Sequence, residues 1–129
     1  MKKIKIFFKI GFYSANIILI TLYLFPGSIL GWFLYNDHLI QLQITRDFFI
    51  SSNHFYAFIF LSILGILAYY NSNKINILIK YLFLISIILE LTHIIISERG
   101  FELRDLLGNV LGVVFVIGIY KFKKRYVSN

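Results

Sequence analysis

Four long apolar stretches, separated by shorter polar segments, dominate the chain. They lie at residues 10–25, 48–70, 75–96 and 106–120, and each approaches the roughly 20 residues that a helix needs to cross the hydrocarbon core of a bilayer. Because lipid offers no hydrogen bonds to the backbone, stretches of this kind span membranes as helices. The pattern predicts an all-α, polytopic membrane protein in which residues 1–129 form one domain with four transmembrane helices.

The composition favours the same class of protein. Of the 129 residues, 59% are hydrophobic and 15% are charged, whereas soluble domains have about 45–50% apolar and about 25% charged residues. A soluble fold of this size could not bury so much apolar surface, and disordered chains are poor in apolar residues. The chain has no cysteine, which excludes disulfides and thiol chemistry. No small-residue cleavage site follows the first stretch, so we expect a retained anchor rather than a signal peptide.

The basic residues are divided unequally between the two faces of the predicted bundle. Ten of the thirteen fall on the face that carries both termini and residues 71–74. They are Lys2, Lys3, Lys5, Lys9, Lys74, Lys80, Lys121, Lys123, Lys124 and Arg125. All six acidic residues fall on the other face. Because basic segments stay in the cytoplasm, both termini are predicted to be cytoplasmic. The net charge of +7 is therefore a topology signal, and we expect the lipid bilayer, and no nucleic acid, as a partner.

The ionisable groups within or beside the predicted spans collect toward the acidic face. Glu90 and His93 lie three residues apart, so they share one face of a helix. An ionisable group in a membrane span costs about 2.5–3.5 kcal/mol on insertion scales and by default indicates a functional site. A bundle with short loops brings segments of equal depth together. The predicted polar cluster consists of His54, Glu90, His93, Arg99, Asp105 and Asn109.

Several of these positions also have a purely structural explanation. Asp105 suits the N-cap of the last span, a position that favours aspartate. Asn109, together with Gly108 and Gly112, is equally typical of helix packing, because small and polar residues mediate helix contacts in lipid. In the long connection after the first span, the apolar spacing of residues 39–49 is ambiguous between strand and helix.

Three motifs occur in a characteristic order along the chain. They are Leu24-Phe25-Pro26-Gly27, His54-Phe55-Tyr56-Ala57-Phe58, and Glu90-x-x-His93 followed by Arg99-x₅-Asp105-x₃-Asn109-x₂-Gly112. In order and spacing they resemble the VanZ-like family of small bacterial membrane proteins, and the Arg-Asp-Asn-Gly series is the specific part. The chain departs from the family at two points. Ile50-Ser51 replace an acidic-Lys pair, and His93 replaces a glutamine.

The resemblance implies a small helical bundle in the bacterial cytoplasmic membrane with a role in the cell envelope. The family is named for a protein linked to resistance against teicoplanin-type glycopeptides. The expected ligand is a polar envelope component or a glycopeptide at the extracytoplasmic face. Arg99 would bind a carboxylate or phosphate of this ligand, because the planar guanidinium group can donate two parallel hydrogen bonds to such an anion. Glu90 and Asp105 would orient it, and His54 would hydrogen-bond to it or move a proton.

Other functions fit the same residues less well. A metal-dependent membrane enzyme has suitable ligand types in His54, Glu90, His93 and Asp105, but their spacing matches no dedicated metal motif, so no metal or cofactor is predicted. A structural or accessory subunit would use the cluster only to hold helices together. A proton-coupled transporter is disfavoured because Glu90 lies toward the end of its span, whereas transporter sites lie near the midplane.

Overall fold

The computed structural model describes residues 2–127, and this part of the chain contains five α-helices and no β-strand. The helices are α1 (Lys2–Leu24), α2 (Ile29–Tyr35), α3 (Ser52–Tyr69), α4 (Ile75–Thr92) and α5 (Leu103–Tyr126). All except α2 are long and apolar enough to cross a membrane. The predicted all-α class with four spans is therefore confirmed. Residue 1 and residues 128 and 129 lie outside the described part.

The helix ends differ from the predicted span limits. Helix α1 begins at Lys2, not near residue 10, and α5 continues to Tyr126, beyond residue 120. The lysines at these two ends are good helix formers, and their long side chains carry the charge away from apolar surroundings. Both α1 and α5 therefore extend past the apolar stretches that predicted them. Helix α4 instead ends early, at Thr92, and His93 is its C-cap.

The four long helices run alternately in opposite directions. Tyr70 after α3 lies 6.1 Å from Tyr120 of α5, measured between ring centroids, and the Lys9 amine lies 5.3 Å above the Tyr69 ring. The start of α1 and the end of α5 therefore share one end of the bundle. The opposite end, here called the loop end, is formed by residues 25–51 and 93–102 and the helix termini that they connect.

Helix α3 packs most extensively against α5 and α1, and α4 closes the bundle against these helices. Phe58, Leu82 and Val113 are completely buried at its centre. The close contact between α3 and α5 depends on two glycines. A Cβ atom added to Gly108 would lie 2.7 Å from the Ser51 carbonyl oxygen. A Cβ atom added to Gly112 would lie 2.7 Å from the Phe55 carbonyl oxygen. The structure thus places both predicted packing glycines against the backbone of α3.

The outer surface of the bundle is apolar. Only 17–39% of the most apolar part of each long helix is buried, so side chains such as Ile17, Phe60 and Ile119 remain exposed. Soluble monomers rarely expose contiguous apolar area of this extent. The exposed surface is compatible with lipid as the surrounding solvent, as expected for a multi-pass membrane protein.

The long connection between α1 and α3 contains a short helix that the pattern did not predict. Gly27 has φ +85°, a conformation natural for glycine. Ser28 then caps α2 by accepting a hydrogen bond from the Gly31 amide, 3.0 Å away. Asn36, in the left-handed conformation, ends the helix. Residues 39–49 are neither strand nor helix, because side chains of α3 and the loop satisfy their backbone groups instead.

Candidate functional site

A polar cavity of about 310 Å³ lies at the loop end, between the α1–α3 connection and the start of α5. Its outer wall is exposed, whereas His93 and Ser51 at its inner wall are buried. The cavity contains four of the six residues of the predicted cluster. It is lined by Gln41, Gln43, Asp47, Ser51, Asn53, His54, His93, Glu98, Arg99, Gly100, Glu102 and Asp105.

His54 and Asp105 face each other across the start of α3 and α5. The His54 Nδ1 atom lies 3.1 Å from Asp105 Oδ1, and each side chain is about one-fifth exposed, at 18% and 19%. The two atoms are not aligned as a hydrogen bond, and Nδ1 has no other partner among residues 2–127. The N-cap position of α5 belongs to Glu102. Asp105 lies instead in the first turn of α5. Its negative charge there interacts favourably with the positive end of the helix dipole.

Glu90 and His93 form a buried pair below the cavity. Glu90 Oε1 accepts a hydrogen bond from the Glu102 amide at 3.1 Å and lies 3.3 Å from His93 Nδ1. His93 Nε2 lies 3.1 Å from the Tyr23 carbonyl oxygen, which can only accept, so Nε2 carries a hydrogen. The 3.3 Å contact between His93 Nδ1 and Glu90 Oε1 is therefore a hydrogen bond only when one of these two atoms carries a further proton. The other oxygen, Oε2, is buried and has no partner in the described part of the chain.

Arg99 uses its guanidinium to hold the end of α1. Its Nη2 donates to the carbonyls of Leu22 at 2.9 Å and Gly27 at 2.5 Å, and its Nε donates to that of Phe25 at 3.3 Å. Carbonyls at a helix C-terminus lack partners within the helix and attract cations. Burial lowers the pKa of Arg99 from its ordinary value, and the charge of Glu90 opposes this shift. The geometry therefore gives Arg99 the role of a helix anchor, and the predicted binding of an anion stays a prediction.

This role predicts the effect of Arg99→Ala on stability. The variant leaves three carbonyl groups at the end of α1 without their charged donor. Because water reaches this region in part, we expect the free energy of unfolding in detergent to fall by about 1–2 kcal/mol. Arg104→Ala is the control, because Arg104 is exposed and makes one bond to the Phe48 carbonyl, at 3.1 Å. Equal stability of both variants would contradict the anchoring role.

Asn109 lies deeper, outside the polar cavity. Its Oδ1 accepts from the Tyr23 hydroxyl at 2.6 Å, and its Nδ2 donates to the Ser86 carbonyl at 3.1 Å. Asn109 thereby joins α1, α4 and α5 within the core. Of the predicted cluster, His54, Glu90 and Asp105 converge most closely, with one possible ligand atom from each within 4.8 Å of the other two.

Seven of the other eight residues that line the cavity come from the α1–α3 connection and from residues 93–102, and Asn53 comes from α3. The sequence pattern did not assign them to the site. Asn53 at the start of α3 accepts from the Ile44 amide at 2.9 Å and donates to the Leu42 carbonyl. Asp47 accepts from the Ser52 amide at 2.8 Å. The signal in the sequence was the pair of amides Gln41 and Gln43, which are unusual in an otherwise apolar chain.

Two further cavities continue from the polar cavity along the bundle. The first, of about 300 Å³, shares Gln41, Asn53, His54 and Arg99 with the polar cavity. The second, of about 450 Å³, is almost entirely apolar. Together they form what we call the α1–α3 groove, and Leu19, Leu22 and Ala57 line both parts. Its remaining apolar wall consists of Phe7, Gly11, Ala15, Ile18, Ile29, Leu30, Leu42, Ile44, Phe60, Leu61 and Leu64.

No family model, no curated protein and no solved structure matches the chain. The resemblance to the VanZ-like family therefore stays a prediction. The chemistry of the polar cavity and of the α1–α3 groove carries the functional interpretation.

Proposed function

We propose that this protein binds an amphiphile at the loop end, with the polar head in the polar cavity and the apolar chain in the α1–α3 groove. The observation that carries the proposal is the shared wall between the two. His54 and Arg99 line the polar cavity and also the first part of the groove, so one molecule can occupy both without leaving the protein surface.

The charges of the polar cavity indicate the kind of head that it accepts. Asp47, Glu98, Glu102 and Asp105 contribute carboxylates, whereas the guanidinium of Arg99 already binds the end of α1. Carboxylates are hydrogen-bond acceptors. The cavity therefore favours a head that donates hydrogen bonds, through sugar hydroxyls or ammonium groups, over a head that carries phosphate.

The groove explains how the chain of the amphiphile is placed. Its wall on α1 extends from Phe7 to Leu22, which corresponds to roughly 22 Å at about 1.5 Å per helical residue. Because surrounding lipid is as apolar as the groove, moving the chain from lipid into the groove gains little from the hydrophobic effect. The groove therefore orients the molecule, and the head supplies most of the selectivity.

The placement of basic residues supports an extracytoplasmic position for the loop end in a bacterial cytoplasmic membrane. Lys and Arg collect at the opposite end of the bundle, with residues such as Lys9 and Lys123, and basic ends stay in the cytoplasm. With the VanZ-like resemblance, this orientation supports a ligand from the cell envelope, or a glycopeptide, that approaches the polar cavity from outside.

Binding of a defined lipid tests the proposal. We expect purified protein to retain a diglucosyl diacylglycerol more strongly than phosphatidylglycerol with the same chains, as measured by native mass spectrometry. Ala57→Leu fills the groove where its two parts meet, and we expect it to weaken glycolipid binding by about tenfold, a change of about 1.4 kcal/mol. Gly118→Leu is the control, because within residues 2–127 nothing lies within 4 Å of the position of its Cβ.

Equal retention of the two lipids, or equal binding by the Ala57→Leu and Gly118→Leu variants, would contradict the proposal and favour a structural subunit. The cellular counterpart is the teicoplanin susceptibility of a Gram-positive host at matched membrane levels of protein. Protection by wild type and by Gly118→Leu, with its loss in Ala57→Leu, would show that the α1–α3 groove is needed for resistance.

A further inference from the structure

Two buried polar atoms, one at the inner wall of the polar cavity and one below it, make no hydrogen bond in the described part of the chain. His54 Nδ1 and Glu90 Oε2 are both inaccessible to solvent and make no hydrogen bond to any described residue. A buried carboxylate oxygen without a partner is costly, and native proteins seldom tolerate such atoms without an ion or a water molecule to satisfy them. The two atoms belong to different helices, α3 and α4, yet a ligand atom of each residue lies within 4.8 Å of the other and of Asp105.

We propose that His54, Glu90 and Asp105 bind a divalent metal ion. One donor atom from each residue lies within 4.8 Å of the other two, and His54 Nδ1 is already 3.1 Å from Asp105 Oδ1. Donors about 2.1 Å from a common ion are separated by roughly 3.0–3.4 Å in octahedral or tetrahedral geometry. One pair of donors is therefore already at coordination distance, and the Glu90 carboxylate, within 4.8 Å of both, would move closer when an ion binds.

The donor set selects the ion. One imidazole nitrogen and two carboxylate oxygens suit Zn²⁺ or Mn²⁺ better than Ca²⁺, which prefers oxygen donors alone. The two carboxylates of Glu90 and Asp105 balance the charge of a divalent ion. Neither Lys nor Arg makes a salt bridge with either carboxylate within residues 2–127, where the ion pairs of the two acids are with histidines.

The surroundings of Glu90 hold its carboxylate in place for this role. Oε1 accepts from the Glu102 amide and faces His93, which leaves Oε2 as the free oxygen. Groups that orient a metal-binding residue in this manner are a regular feature of metal sites. The inference goes beyond the proposed function, because it requires no amphiphile. A metal ion here would connect α3, α4 and α5 at the loop end.

Metal titration of the purified protein tests the inference. After treatment with a chelator and gel filtration in detergent, the protein is loaded with Zn²⁺ or Mn²⁺ and its metal content is measured by mass spectrometry. We expect one ion per chain and a higher Tm with metal. His54→Gln and Asp105→Asn are each expected to weaken binding by at least about tenfold. His38→Gln is the matched control, because His38 is an exposed histidine at the same end of the molecule that pairs with Glu98.

Three results would overturn the inference. Wild type could remain metal-free after loading, the two ligand variants could bind as wild type does, or His38→Gln could lose binding equally. If the ligand variants fail to fold, Co²⁺ added to wild type decides the question, because Co²⁺ bound by protein nitrogen and oxygen donors differs from free aqueous Co²⁺ in the intensity and position of its visible absorption bands, and an empty site leaves the spectrum of the free ion. Ala57→Leu, which blocks only the groove, is expected to keep the metal, so failure of one proposal is distinguishable from failure of the other.

Discussion

Replacing Gly112 with leucine is expected to destabilise the bundle more than any other single change that we describe. Even a Cβ atom at this position would lie 2.7 Å from the Phe55 carbonyl oxygen and 3.0 Å from Phe58 Cβ. These are atoms of the α3 backbone and its first side-chain carbon, which cannot rotate away. The two helices must separate, so we expect the free energy of unfolding to fall by about 3 kcal/mol or more, at the upper end of overpacking costs.

Thermal unfolding in detergent, followed by circular dichroism, measures this effect. Gly118→Leu on the same helix is the control, because its Cβ meets no atom of the described residues within 4 Å. Leucine also has a higher helix propensity than glycine. We therefore expect Gly118→Leu to keep or slightly raise the Tm. A similar Tm for the two variants would show that α3 and α5 do not depend on this close contact.

The second large effect concerns Asn109, which joins three helices through buried hydrogen bonds. Asn109→Ala removes the acceptor of the Tyr23 hydroxyl and the donor to the Ser86 carbonyl. Leaving buried groups without partners costs about 1–3 kcal/mol each, so we expect a loss of about 2–4 kcal/mol. Tyr23→Phe removes only one of the two bonds and should lose about half as much.

The same unfolding measurement tests this expectation, with Asn73→Ala as the control, because Asn73 is exposed in the turn before α4. If Asn109→Ala unfolds at the wild-type temperature, the residue contributes no net stability through its hydrogen bonds. Its place in the cluster predicted from sequence would then need a functional explanation.

The sequence was sufficient to predict the four spans, because lipid requires long apolar helices and the chain has four apolar stretches of that length. The proximity of His54 to Asp105 could also be predicted, since both follow a connection at the same end of the bundle. The role of Arg99 could not. Its partners are carbonyl groups in the last turn of α1 and just beyond it, and every residue has a carbonyl, so no pattern of side chains marks them.

The α1–α3 groove also could not be predicted. Its walls use the same residue types, such as Leu22 and Phe60, that elsewhere face lipid, and only the packing of the helices decides which apolar side chains line a cavity. The path of residues 39–49 could not be predicted either, because it depends on a tertiary contact. The Asn53 side chain accepts a hydrogen bond from the backbone amide of Ile44 in this loop. Helix α2 did carry a signal, because Ser28 and Asn36 are typical of helix caps.

The bonds that fix α1 have a consequence for biosynthesis. The loop end of α1 is held by Arg99 and by Asn109, which lies 86 residues after its partner Tyr23. At about 5–20 residues per second, the ribosome needs roughly 4–17 s to add that length of chain. Arg99 is made only ten residues before Asn109, so α1 has neither partner for most of this time. Helix α1 is made first, but its hydrogen bonds to Arg99 and Asn109 are among the last to form. Assembly of the bundle is therefore completed only when α5 enters the bilayer.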